Sequence, residues 1–132
     1  MRVDDVMAAL AAAVEVIPGL RVTAYPPDRL VPPAAWPEWP DAITYDAAMG
    51  RGADQITAEL RVCVGRVDAR SSLTLLADYA AGAGPRSVKA AVESFTTAAY
   101  HSARVTTCQF GVVSVAGTEY LATTFSVDII GS

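Results

Sequence analysis

Any chemistry in these 132 residues must rest on a small set of nucleophiles, bases and metal ligands. The single histidine, His101, stands in TTAAYHS (Thr96–Ser102), without a G-x-S-x-G elbow and without a cysteine placed for it to activate. A lone histidine in a Ser/Thr-flanked loop reads as a surface residue. Cys63 and Cys108 are far apart, form no CxxC and have no histidine neighbour. Neither a zinc site nor a dense disulfide framework is supported, and both cysteines read as strand residues. The carboxylates are scattered singly, with no H-E-x-x-H or EF-hand spacing to gather a metal. Met49–Asp54 (MGRGAD) contains a GxG, but it leads from strand to strand with no helix N-terminus to receive a phosphate. GAGPRS lacks the lysine of a P-loop. The sequence therefore implies no cofactor and no metal, and the protein is expected not to be an enzyme.

Composition narrows the remaining classes. With 52% hydrophobic and 18% charged residues, the chain lies outside the range in which disorder is expected, and its length suits one domain spanning 1–132. Ten Lys plus Arg against 14 Asp plus Glu give a net charge of −4, the reverse of a phosphate-gripping footprint. No apolar run approaches the roughly 18 residues that cross a bilayer. MRVDDVMAAL carries Asp4 and Asp5 where a signal peptide would be positive, so a soluble cytoplasmic chain without a membrane partner is expected. Nine arginines stand against the single Lys89. Arginine is the cation favoured at protein interfaces, although a GC-rich genome gives the same bias.

Periodicity then supplies the elements. Val3, Val6, Met7, Leu10, Val14 and Ile17 fall on one side of a first helix, with Asp4 and Asp5 at its positive end and Pro18-Gly19 as its stop. Leu20–Tyr25 alternates as a short strand. Pro26–Pro40 (PPDRLVPPAAWPEWP) holds six of the eight prolines, and this lack of N–H groups predicts an ordered loop and not a strand. Ala42–Ala48 and Gln55–Gly65 read as two strands, the second with Ile56, Ala58, Leu60, Val62 and Val64 inward and Thr57, Glu59, Arg61 and Cys63 outward. Met49–Asp54 then forms a hairpin tip. Asp68 is placed to cap a helix over 69–81 with Leu73, Leu76 and Ala80 as its buried stripe, flanked by Leu75 and Tyr79. Pro85 suits the first position of a third helix with Val88, Ala91, Val92 and Phe95 on one side. Thr96–Ser102 reads as a loop. Arg104–Val115 and Thr118–Ile130 form a hairpin turning at Ala116-Gly117, with Leu121, Phe125, Val127 and Ile129 on one face. The order α-β-β-β-α-α-β-β predicts an α+β fold, a mainly antiparallel sheet packed against two or three helices.

Surplus loop material stands out against this frame. A 15-residue proline-stiffened loop is long for a compact domain, and such loops tend to be functional. Its tryptophans, Trp36 and Trp39, either cap the protein's own core or are held ready to pack against another molecule.

The succession IPGLRV (Ile17–Val22), YPPD (Tyr25–Asp28), WPDAITYDAAMGRGAD (Trp39–Asp54), VGRVDAR (Val64–Arg70), GAGPRSVKAAVE (Gly82–Glu93) and VVSVAGTEYLATTFSVDI (Val112–Ile129) covers nearly the whole chain. It resembles the tail terminator proteins of long-tailed bacteriophages, particularly those of actinobacteria. The resemblance implies a virion protein of the tail–head neck, put together in the host cytoplasm. Such a protein forms a homohexameric ring on the last ring of major tail tube protein, ends tube growth and presents a joint to head-completion or connector proteins. DNA would pass through the channel without specific binding, which net negative charge favours. No catalytic residues carry over. The resemblance points to Met49–Asp54, with Met49, Arg51 and Asp54, as a ring or tube contact, and to the Trp36/Trp39 loop as a neighbour contact. Thr96–Ser102 departs from relatives, in which this connection is often richer in glycine and aspartate. The alternatives are another neck component, a small host ligand-binding domain with Trp36 and Trp39 lining a pocket, and a small hydrolase or isomerase using Asp and Arg near His101.

Overall fold

In the computed structural model, residues 1–47, 53–115 and 117–132 are described, with backbone alone at Val115. The apolar spacing of the first segment makes helix α1 (Val3–Val14), which buries Val6, Met7, Leu10 and Val14. Two further turns, closed by Glu15 N–H to Ala12 O and Ile17 N–H to Val14 O, carry Ile17 into the core before the chain enters β1 (Arg21–Val22). The remaining elements are β2 (Ala34–Glu38), β3 (Asp54–Arg66), α2 (Arg70–Ala80), α3 (Val88–Ser94), β4 (Ser102–Val115) and β5 (Thr118–Gly131). The strands form one five-stranded sheet in the order β1-β2-β3-β5-β4, antiparallel throughout except for the parallel β1–β2 pair. The fold is thus α+β, a mainly antiparallel sheet with three helices, in the order α-β-β-β-α-α-β-β.

All three helices contribute to one core. α1 packs against β1, β2 and α3; α2 against β3 and β5; α3 against β4. Ile56, Ala58, Leu60 and Val62 of β3 pair with Ile129, Val127, Phe125 and Thr123 of β5, and all eight are buried. Thr57, Glu59 and Arg61 point to the other face and are exposed, as period-two alternation requires.

Several sequence expectations are corrected here. The proline-rich stretch is not wholly loop, because Ala34–Glu38 is a strand. The register explains how it tolerates Pro37. The carbonyls of Pro33 and Ala35 accept from Arg21 and Thr23 on the β1 side, so Pro37, of the same parity, lacks its N–H on the side away from β3. The strand predicted over 42–48 is absent from the described residues, which hold only an isolated bridge between Thr44 and Gln55. The strand predicted over Leu20–Tyr25 shrinks to Arg21–Val22.

Neither helix start is as predicted. Asp68 does not cap α2; Ala69 is its N-cap, and the Asp68 carboxylate lies 3.6 Å from Arg66. Pro85 stays in the turn before α3, whose N-cap is Ser87: its Oγ accepts from Ala90 N–H and donates to Ala81 O. In α2 the buried residues are Ser72, Leu76 and Tyr79, while Leu73 is exposed. Cys63 is not on an open face. The register irregularity between Cys63 and Gly65 interrupts alternation, and Val62, Cys63 and Val64 are all buried. Burial pushes the Cys63 thiol up to about 11.

Candidate functional site

Surfaces that could recognise something depend on what the helices leave uncovered. Strand β4 is the outermost strand on its side, and a shift of register between Val105 and Thr107 reverses its alternation. Val105 faces the core opposite Val127; beyond the irregularity, Cys108, Phe110 and Val112 take the helix-side face opposite Phe125, Thr123 and Leu121. Near the start of β4, α3 lies overhead and the Glu93 carboxylate accepts from Val105 N–H at 3.0 Å. Towards the hairpin end the nearest helix is α2, which sits over β3 and β5 and leaves β4 uncovered. Phe110 is therefore 64% exposed and Val112 55% exposed, beside Leu73 of α2 at 58%. Between them lies a hollow of about 520 Å³ floored by Leu76, Ala77 and Leu121. Its lining carries no polar side chain to orient a small ligand.

Beneath α2, β3 carries a glycine: a Cβ at Gly65 would collide with Ser72 Oγ, so glycine leaves room for this buried hydroxyl between strand and helix.

The opposite border of the sheet is built from the proline-rich segment. Trp36 lies on β2 opposite Arg61, half-buried, and its Nε1 donates to Glu38 Oε1 at 2.9 Å. Glu38 is also 3.5 Å from Arg61 Nε, so ring, carboxylate and guanidinium brace one another along the sheet. Trp39 is different: one residue past the strand end, it is 65% exposed. It borders a shallow hollow with Pro40, Asp41, Thr57, Glu59 and Arg61, which continues past Thr44 and Gln55. Tyr25, Val31 and Tyr45 are further exposed apolar side chains on the segments flanking β2. Among the described residues, neither Asp41 nor Glu59 forms an ion pair.

The sequence-predicted positions are thus only partly brought together. Trp36 and Trp39 share the β2 border, but Trp36 is engaged by its own sheet. Asp54 begins β3 and its Oδ1 accepts from Asp46 N–H at 3.2 Å, which ties it to a turn where Asp46 has φ 52°. Met49 and Arg51 lie outside the described residues. Sequence reasoning missed Phe110 and Val112. Their alternation with Cys108 was present in the chain, but the absence of a helix above them was not. His101 is exposed, with Nε2 3.0 Å from Ser132 Oγ. Cys63 and Cys108 are unbridged strand residues, and Cys108 Sγ lies 2.9 Å from Thr123 Oγ1. Among the described residues, no three His, Cys, Asp or Glu side chains are grouped to hold a metal ion, and no helix is long and apolar enough to cross a membrane.

Comparison with the models of known protein families gives no match, and comparison with curated proteins gives none either.

Proposed function

We propose that this chain is a structural protein of a bacteriophage neck, a tail terminator that forms a hexameric ring on the end of the tail tube, stops its growth and offers a joint to head-completion or connector proteins. The observation that carries this reading is the unequal finish of the sheet. One border is short and proline-blocked, whereas the other is a long strand whose outer half is open and apolar. A subunit with different surfaces on its two sides joins head to tail, and such joints close into a ring when the rotation per subunit divides the circle. An uncovered strand edge is a ready template for that joint. The choice of a tail terminator within that class rests on the resemblance of the residue order along the chain to such proteins. The net charge of −4 suits a channel that lets DNA through without holding it.

The test is a premature stop in this reading frame of the phage that carries it, with particles viewed by electron microscopy. The expected result is tubes of irregular, excessive length that are not joined to heads. Tubes of normal length lying beside unattached heads would reassign the chain to a head-completion or connector role. Normal, joined virions would end the proposal.

A further inference from the structure

We infer that the joint between copies is made by Trp39 of one copy seated in the hollow between α2 and β4 of the next. This inference rests on the ring reading and specifies the contact within it. Trp39 is the large apolar side chain left unengaged at the end of β2, and the two prolines around it, Pro37 and Pro40, reduce the backbone freedom lost on docking. The hollow is shallow and open, with Leu73, Phe110 and Val112 standing beside Leu76, Ala77 and Leu121, an apolar surface that an indole ring can lie against. Knob and socket lie at opposite borders of one sheet, so a chain cannot fill its own socket, but it can fill that of its neighbour.

Charge selects a second copy as the occupant. The knob is flanked by Asp41 and Glu59, neither in an ion pair among the described residues, while Glu38 is already engaged by Arg61. Arg70 lies one helical turn before Leu73 on α2, exposed and likewise without a carboxylate partner among the described residues. With Trp39 seated, the acidic side of one copy faces the unpaired arginine of the next. Opposed charges at the rim fix register and speed encounter, while the buried aromatic anchor supplies most of the affinity.

The test uses the intact chain and two variants at exposed positions, Trp39→Ala and Phe110→Asp, with self-association followed by sedimentation velocity and folding checked by thermal melting. Each variant alone should melt like the parent and lose about thirtyfold or more in self-association, as befits a central aromatic anchor. Mixed in equal amounts, they should form a heterodimer and no ring, because one intact socket meets one intact knob. If Phe110→Asp disturbs folding, Val112→Lys should give the same pattern. Arg70→Asp should weaken assembly, and adding Asp41→Arg to the same chain should restore it. Three results would overturn the contact: a monomeric parent, assembly indifferent to Trp39→Ala, or a mixture that forms no heterodimer. Rings that persist in both variants would remove this joint while leaving the ring reading in place. Variants that behave as expected, in a phage whose tails stay normal without the chain, would keep the joint and remove the tail role.

Discussion

The two halves of β4 are covered in opposite ways. At its start the strand lies under α3, its Val105 N–H is taken by Glu93, and a register shift bends the ladder. Towards the hairpin end the same strand has no helix above it and shows Phe110 and Val112 to solvent. Natural sheets usually blunt a free edge with charge, irregularity or cover, because an unpaired edge recruits other chains. Here the devices are concentrated on one half. On the proposed ring reading, the unprotected half is the surface a neighbouring copy would cover.

The comparison can be broken most decisively with two phenylalanines on the same face of adjacent strands. Phe125 is buried and Phe110 is not. Phe125→Ala should cost about 3–5 kcal/mol in urea unfolding, whereas Phe110→Ala should stay within about 0.5 kcal/mol in the monomer. Equal losses would mean that the helix layer reaches further over β4 than the hollow implies. Gly65→Ala comes next, because its new methyl would crowd the buried Ser72 Oγ beneath α2. A loss of about 1–3 kcal/mol is expected, with most of it recovered in the double variant that adds Ser72→Ala. Failure of that rescue would place the strain elsewhere.

Ser87→Ala probes the covered half, since Ser87 begins the helix that brings Glu93 to β4. Losing its bond to Ala90 N–H should cost about 1 kcal/mol, together with a loosening of the Val105 amide in hydrogen exchange. The smallest effect concerns pH. The Lys89 ammonium, 2.6 Å from Glu93 Oε2, and the Val105 N–H hold this carboxyl below its ordinary value. Its folded-state value is lowered, so its contribution is complete above about pH 4.3, the unfolded value, and is lost as pH falls through the folded one. Val105 amide protection should fall over that acid range in the parent, and Glu93→Gln should flatten the dependence.

What could be read from the chain depended on whether a local pattern decided the outcome. The i, i+3, i+4 stripe of α1, the alternation of β3 as far as Val62 and that of β5 were legible, because one buried face dictates period and register. The strand at Ala34–Glu38 was hidden by Pro37, which is harmless only because its missing N–H falls on the outer side. Ala42–Ala48 read as a strand, but its described residues are tied to β3 only by the Thr44–Gln55 bridge and by bonds from Asp46 and Ala47 N–H to Asp54 and Ala53. Leu73 fitted a helical stripe, but the sheet beneath α2 takes Ser72, Leu76 and Tyr79 instead. Trp36 and Trp39 were equivalent in sequence and differ only because β2 ends between them. Phe110 and Val112 depended on a register shift three to seven residues earlier, which no periodicity displays.

The claim on which the account turns is head-to-tail closure through unlike surfaces. Native mass spectrometry of the intact chain over rising concentration tests it most directly. The account predicts a ladder of species that ends at six copies, with nothing larger. A monomer at every concentration, or a series that stops at a dimer, would contradict it.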